Sequence, residues 1–399
     1  MKTISKITSL LLFLFFLTGC WDRVELNDVS IVTGIAVDQG EKYKYKMTVE
    51  VLNATENSKM QAQGFAPSIT YSQEGNSLSE LARRMNVGMS RELNYSHTRV
   101  FIIDKKIAEE GVMGFIDFLE RSGEFRNDFN ILIFEGDQAS QALKVAYPLQ
   151  KVSSLKINKQ MDSFYKEWGG NPNMKLTDFI SAITSEGSEP TLATIHVVGD
   201  PDNGSLENLQ RIDPKAIVEI TGLGVFKGDK LLGTMSINDT RSFLWLKGLK
   251  ETSLTVKCKE EDEKYIDVRI TGSKADIQSE VENGIPQFKI NLFAEARIDG
   301  TQCIPDLEKI KTYEKFEKGV EEQIEKEVSN TIQEVQESFE SDIFGFGEIL
   351  ERQHYHEFKK MKKEWNHYFS IADIDVKATI FLRRSGIRNK SYRTEEETQ

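Results

Sequence analysis

In the first half of the chain, short apolar runs alternate with amphipathic segments, which predicts strands and helices in turn. Val29–Asp38 is rich in β-branched residues and is apolar at both odd and even positions, so it predicts a buried strand. The alternation of apolar and polar residues over Tyr43–Val51 predicts a second strand that pairs back on the first. The later segments are interpreted as helix, strand, helix, strand and helix, in the order Ser77–Leu93, Thr98–Ile103, Val112–Leu119, Asn130–Phe134 and Gln138–Ala146. This order predicts a small α/β subdomain, 72–148, inserted in an N-terminal domain that spans 20–200.

A stretch rich in turn formers and acidic residues, 201–214, predicts a linker between the two halves. Beyond it, Ile217–Phe226 and Leu231–Ile237 flank a glycine turn and predict a hairpin. Three further alternating segments predict strands, namely Ser253–Cys258, Tyr265–Ala275 and Pro286–Ile298. Together these five strands predict an antiparallel sheet in a C-terminal domain that spans 215–384.

The strongest periodic signal follows this sheet. Apolar residues recur from Leu307 to Ile343 with a mean step of 3.6 residues, the period of a straight α-helix with one apolar face. A helix of that length, about 55 Å, is expected to pack on the sheet, because a coiled-coil seam would repeat every 3.5 residues. A further helix over 348–369, a last strand over Asp373–Leu382 and a disordered charged tail over 385–399 complete an α+β (mixed α/β) fold.

A glycine-containing turn, Asp342–Gly347, interrupts the helical pattern and allows two interpretations. In the favoured one, Phe344 and Phe346 enter the core while Gly345 and Gly347 permit unusual backbone angles. In the other, these four residues form a surface on which a partner docks. The spacing of the glycines lacks the third glycine and the lysine that make a phosphate-binding loop specific.

The first residues have the pattern of an export signal. Lys2 and Lys6 precede the uncharged run Leu10–Leu17, which is too short to span a membrane. The run ends in Leu17, Thr18, Gly19 and Cys20, which resembles the lipobox of bacterial lipoproteins. That resemblance implies cleavage of a signal peptide, 1–19, and attachment of diacylglycerol and an N-acyl chain to Cys20, which is sufficient for stable anchoring. The alternative is an ordinary secreted protein in which Cys20 is incidental.

Charge and cysteine content narrow the class of protein. Two of the 51 basic residues lie in the predicted signal, so the mature chain would carry 49 basic and 63 acidic residues, a net charge of −14. Such a chain is a poor partner for nucleic acid, whose phosphates require clustered basic residues. The remaining cysteines, Cys258 and Cys303, are interpreted as two inert thiols in the core, although export would permit a disulfide between them.

No pattern of catalytic or metal-binding residues stands out. His354 and His356 point away from each other on a helix, and His367 lies further along its axis, so they are expected on a surface face rather than around an ion. The scattered acidic residues are interpreted as solvated helix faces. The sequence therefore predicts neither an enzyme nor a bound metal or soluble cofactor.

Several segments resemble the Ger(x)C-type spore germination lipoproteins over nearly the whole chain. They are Gly19–Asn27, Val32–Asp38, Gly222–Leu231, Asp342–Gly347 and Phe381–Gly386. The resemblance implies a three-domain lipoprotein that is the C subunit of a nutrient germinant receptor, without known enzymatic activity. It also implies two integral membrane partners, one with a large soluble domain and one like a transporter, at the spore inner membrane.

Two functions from different classes remain open at this point. The first is a lipid-anchored interaction subunit of a germinant receptor, as the resemblance implies. The second is a lipid-anchored extracytoplasmic solute-binding protein that serves a transporter, which the anchor and the acidic charge also fit. The order of elements argues against the second, because it does not suggest two doubly wound lobes.

Overall fold

The computed structural model of the chain describes residues 28–54, 56, 64–201, 204, 206–258, 263–303 and 309–384. The predicted signal peptide, the lipobox with Cys20 and the predicted tail lie outside the described residues. None of the helices in the described part of the chain is long and apolar enough to cross a membrane.

The described residues of the first half, with the predicted hairpin that follows them, form one mixed sheet. Its strands are β1 (Val29–Gln39), β2 (Tyr45–Leu52), β3 (Ser68–Gly75), β4 (Glu92–Asn94), β5 (Val100–Asp104), β6 (Asn130–Phe134), β7 (Thr191–Gly199), β8 (Ala216–Lys227) and β9 (Lys230–Ser236). The spatial order is β3-β2-β1-β5-β6-β7-β8-β9, with β4 paired beside the start of β1. The central strands β1, β5, β6 and β7 run parallel, and the outer pairs are antiparallel.

Both faces of this sheet are covered, which explains the apolar runs in its central strands. Alternate residues of β5 enter different cores, Phe101 and Ile103 on one face and Val100 and Ile102 on the other. The helices between the strands are α1 (Leu78–Arg84), α2 (Lys105–Glu110), α3 (Met113–Arg121), α4 (Ser153–Glu167) and α5 (Leu176–Thr184). The strands predicted over 29–134 and the helix predicted over Val112–Leu119 are present. The helix predicted over Ser77–Leu93 ends at Arg84, and its last predicted residues lie in β4. The segment 138–146 forms a short 3-10 helix, Ala139–Leu143.

The second half forms a four-stranded sheet that packs on helices. Its strands are β10 (Thr252–Lys257), β11 (Tyr265–Glu282), β12 (Ile285–Thr301) and β13 (Asp373–Arg384), and its helices are α6 (Ile237–Lys247), α7 (Ile310–Glu334), α8 (Phe346–Gln353), α9 (Tyr355–Met361) and α10 (Trp365–Ser370). The apolar stripe of α7, Val320, Ile324, Val328 and Ile332, is buried as predicted. The helix is shorter than the stripe suggested, because a π-helical turn, Val335–Phe339, ends with Glu340 in the left-handed region.

The α+β fold class is confirmed, but two details of the predicted sheets are wrong. The hairpin β8–β9 belongs to the first sheet, where β8 pairs with β7, and not to the C-terminal sheet. The C-terminal sheet is mixed rather than antiparallel, because β13 pairs parallel with β12. The 201–214 segment connects two adjacent strands and is held by Asn208, which is fully buried and donates to the carbonyl of Ala216. The first sheet includes strands from both sides of that segment, and β4, β5 and β6 of the same sheet lie within 72–148. The predicted domain boundaries stay predictions.

The two cysteines of the C-terminal half are bonded to each other. Cys258 follows β10 and Cys303 follows β12, and their sulfurs form a disulfide that closes a loop over a sequence separation of 45 residues. The interpretation as two core thiols is therefore wrong. Sequence alone does not give the register of β10, β11 and β12, which brings the ends of the outer two strands together.

Candidate functional site at the junction of the two sheets

The turn that follows α7 joins the two halves of the protein. We call it the junction turn and define it as residues 341–347. Phe344 and Phe346 are buried in the core of the second sheet, where their rings also contact Phe369. Docking of a partner through Phe344–Gly347 would require exposed side chains, and these four residues are buried. The junction turn therefore contributes to packing within the protein.

The carboxylate of Asp342 organises the junction turn. One oxygen accepts hydrogen bonds from the backbone N–H groups of Phe344 and Gly345, at 3.1 and 2.9 Å. The other accepts from the backbone N–H of Gly347 at 2.9 Å and from the indole Nε1 of Trp365 at 2.8 Å. Gly345 lies at φ +78°, a region that favours glycine, so the chain can bend back around the carboxylate.

Asp342 is completely inaccessible to solvent, and burial raises the pKa of its carboxyl. The hydrogen bonds from Gly347 and Trp365 and the charge of Lys247 oppose this increase. Lys247, at the end of α6, donates to the carbonyl of Phe344 at 2.8 Å. A buried carboxylate is tolerated when its lone pairs are satisfied, and here four donors converge on it.

A loop of the first half, 185–190, leads from α5 into β7 and packs directly on the junction turn. The carboxylate of Glu348 accepts from the hydroxyls of Ser185 and Ser188, at 2.8 and 2.9 Å. The backbone N–H of Glu189 donates to the carbonyl of Asp342 at 2.7 Å. The side chain of Glu189 accepts from Asn366 at 2.7 Å and from the backbone of the β8–β9 turn at 2.6 Å.

Two glycines allow this close approach of two backbones. A Cβ on Gly187 would lie 2.6 Å from the backbone nitrogen of Glu348 and 2.7 Å from the carbonyl carbon of Gly347. A Cβ on Gly347 would lie 2.6 Å from the Cα of Gly187. Because backbone atoms cannot move aside as a flexible side chain can, only glycine fits at both positions without displacement of one half.

A second contact between the halves lies at the end of α4. The guanidinium of Arg241 lies over the ring of Trp168, 4.7 Å from its centroid, and its Nη2 is 2.8 Å from a carboxylate oxygen of Glu327. The hydroxyl of Thr252 donates to the carbonyl of Trp168 at 2.8 Å. With the junction turn, this contact joins the halves at two separate places, which restricts rotation between them.

Carboxylates of α7 have a function that the sequence analysis missed. Glu317, Glu321 and Glu325 accept from the backbone N–H groups along the free edge of β13, those of Leu382, Ile380 and Ala378, at 2.8, 3.0 and 2.9 Å. Their interpretation as solvated acids is wrong. The spacing of four residues was a signal, since it places the three carboxylates on one side of the helix.

The described residues contain no group of three or more His, Cys, Asp or Glu side chains that could hold a metal ion. His354 lies 2.7 Å from the carbonyl oxygen of Ser279 through Nε2, which must donate because a carbonyl only accepts. The lipobox residues Leu17, Thr18, Gly19 and Cys20 lie outside the described part of the chain, so their role stays a prediction.

Comparison with protein families places both halves in one group. The N-terminal half, residues 22–197, matches a family model described as the spore germination protein N-terminal domain. Residues 221–386 match a model described as spore germination B3/GerAC like, C-terminal. The stretch between the two matched regions, 198–220, contains the end of β7, the segment that leads to β8 and the start of β8.

Individual proteins are similar along their full length. Spore germination protein KC of Bacillus subtilis (strain 168) is 28% identical over 388 residues, which is 95% of each chain. Spore germination protein B3 of the same strain is 23% identical and covers 94% of this chain and 96% of its own. The crystal structure of the GerBC protein aligns with a TM-score of 0.53 at 18% identity, and covers 87% of this chain and 97% of its own, which shows a shared fold.

Proposed function

Because the chain belongs to the Ger(x)C family of spore germination proteins, we propose that it is the lipid-anchored, non-catalytic C subunit of a nutrient germinant receptor. It is held on the extracytoplasmic face of the spore inner membrane by diacylglycerol and an N-acyl chain on Cys20. Its partners are two integral membrane subunits, one with a large soluble domain and one like a transporter.

The observation that carries this proposal is the extent of the family match. The matched regions begin at residue 22, two residues after Cys20, and end at residue 386. The family pattern therefore starts where a lipoprotein that is cleaved before Cys20 would start. In this proposal Cys20 supplies the thiol that carries the lipid, and Leu17, Thr18 and Gly19 form the site that the signal peptidase recognises.

The proposed mechanism is mechanical rather than chemical. The junction turn and the Arg241–Trp168 contact make the two halves one unit, so a surface on the second half has a defined position relative to the anchored first half. The carboxylates of Asp342 and Glu348 are occupied by hydrogen bonds within the junction. In this proposal they support the arrangement of the subunit.

The anchor is tested with Cys20→Ala in the full chain, expressed in the spore. We expect the variant to leave the membrane fraction, to lose its co-purification with two integral membrane proteins, and to weaken germination in response to nutrients. The matched control is Cys258→Ser with Cys303→Ser, which removes two cysteines but keeps Cys20 and should stay on the membrane. Membrane retention and germination of Cys20→Ala at wild-type levels would contradict the anchor.

Assembly is tested by affinity purification of the tagged chain from gently solubilised spore membranes. Recovery of two integral membrane proteins in comparable amounts is the expected result. Recovery of this chain alone, under conditions in which other membrane complexes survive, would favour the solute-binding alternative. A small molecule that raises the melting temperature of the purified chain would then identify that function.

A further inference from the structure

The end of the first sheet at which β1 begins is joined to Cys20 by a short segment of chain. Val29 is nine residues further along the chain, so an extended segment spans at most about 30 Å between them. β3 begins at the same end of the sheet, since Leu52 at the end of β2 pairs with Ser68. β4 pairs with the first three residues of β1. We call this region, where β1, β3 and β4 begin, the proximal end.

Large apolar side chains are exposed at the proximal end. Phe65 is 64% exposed, Ile69 51% and Val87 79%. Ile69 is two residues before Tyr71 in β3, so both side chains point to the same face of the sheet. Gly88 lies directly against the Tyr71 ring, which places the short 3-10 helix Met85–Gly88, with the exposed Val87, beside that face. Apolar residues that cluster on a solvent-exposed surface indicate a site that contacts a membrane or another protein.

The charge of the proximal end differs from that of the rest of the chain. Residues 83–99, which lead into and out of β4, contain four arginines and one glutamate, in a chain of net charge −12. Three of the arginines lie near carboxylates, in the pairs Arg83–Glu124, Arg84–Glu80 and Arg99–Asp128. Arg91 is exposed and forms no ion pair with any residue in the described ranges. The carboxylates of Glu124, Glu80 and Asp128 balance these three arginines, so Arg91 is the arginine of this range that is left to meet an anionic surface.

We propose that the proximal end lies against the lipid bilayer, with Phe65, Ile69 and Val87 at the level of the headgroups and Arg91 near anionic lipid phosphates. This inference rests on the proposed lipid anchor, which holds the chain near the membrane but does not by itself select the face that contacts it. Apolar side chains that enter the interface beside cations are the combination by which peripheral proteins bind anionic membranes. The acidic remainder of the molecule then faces away from the bilayer.

The orientation is tested with fluorescent labels on the full-length lipoprotein. Phe65→Cys and Ile69→Cys each introduce a thiol for an environment-sensitive fluorophore, because Cys258 and Cys303 are bonded to each other and Cys20 carries the lipid. The matched controls are Leu232→Cys, on β9 at the opposite edge of the first sheet, and Ile371→Cys, before β13. These residues are 44% and 47% exposed in the native protein.

The labelled proteins are reconstituted into vesicles of phosphatidylcholine and phosphatidylglycerol that contain spin-labelled lipid. We expect blue-shifted emission and at least twofold stronger quenching at positions 65 and 69 than at 232 and 371. We also expect weaker quenching when phosphatidylglycerol is omitted. Equal quenching at all four positions would overturn the proposal. Shielding of 65 and 69 that requires the integral membrane subunits would overturn it in favour of a protein contact.

The same preparation separates failure of this inference from failure of the anchor. The unlabelled wild-type lipoprotein and Cys20→Ala are floated with the vesicles. If the wild type floats and Cys20→Ala does not, the proposed lipid anchor is supported. The labels then show which face of the protein contacts the bilayer. If the wild type does not float, the proposed lipid anchor itself fails.

Discussion

Replacement of Asp342 by asparagine tests whether its carboxylate organises the junction turn. The change keeps the shape of the side chain but replaces one of two accepting oxygens with a donor. Whichever oxygen is lost, two buried N–H groups lose their acceptor, each at a cost of about 1–3 kcal/mol. An amide is less costly to bury than a carboxylate, which offsets part of this loss. We expect the free energy of unfolding to fall by about 2–4 kcal/mol.

The assay is a urea titration of the purified protein, followed by tryptophan fluorescence, since Trp245 and Trp365 are both buried in the core of the second sheet. The control is Asp375→Asn on β13, where the native side chain is 62% exposed and the change should stay within about 0.5 kcal/mol. Trp365→Phe should cost less in the Asp342→Asn background than in the wild type, because the two side chains share a hydrogen bond. A loss for Asp342→Asn no larger than the control would refute the argument.

Three further predictions concern other contacts. Gly187→Ala, which brings a Cβ to 2.6 Å from an opposing backbone nitrogen, should lower stability by about 1–3 kcal/mol in the same titration, whereas Gly123→Ala, with open space around it, should not. Glu50 on β2 is fully buried, and burial raises the pKa of its carboxyl. Its contribution to the free energy of unfolding therefore grows as the pH falls towards 4.5, the ordinary pKa of this group, and is lost as the pH rises through the raised pKa. Between pH 7 and 5, the wild type should therefore gain stability relative to Glu50→Gln in urea titrations, and parallel curves would contradict this. Reduction of the Cys258–Cys303 disulfide should cost about 4 kcal/mol by the chain-entropy relation for its loop, and an unchanged melting temperature with dithiothreitol would exclude that contribution.

The elements that depend on local pattern were predictable, and those that depend on distant pairing were not. The apolar stripe of α7 and the runs of β1 and β5 follow from side-chain burial, which repeats along the chain with the period of the element. Nothing within Ile217–Phe226 shows whether this strand pairs with Thr191–Gly199 or with a later segment. That choice depends on how both faces of the whole sheet are covered.

The candidate site was predictable only in its position. The glycines and aromatic residues of Asp342–Gly347 marked a break in the helix, and the favoured core interpretation fits their burial. The fit between Gly187 and Gly347 depends on two loops about 160 residues apart, so sequence spacing carries no trace of it. The role of Asp342 was equally hidden, because one acid in a chain of 63 acidic residues has no distinguishing pattern.

The three α7 glutamates that bond to β13 have a further consequence if the chain is held on a membrane. Proteins confined to a surface meet each other far more often than proteins in solution, and an open strand edge is a template on which copies can add to one another. Glu317, Glu321 and Glu325 occupy the N–H groups that a neighbouring copy would need. Copies of the chain that lie side by side on a surface are therefore prevented from adding to one another through this edge.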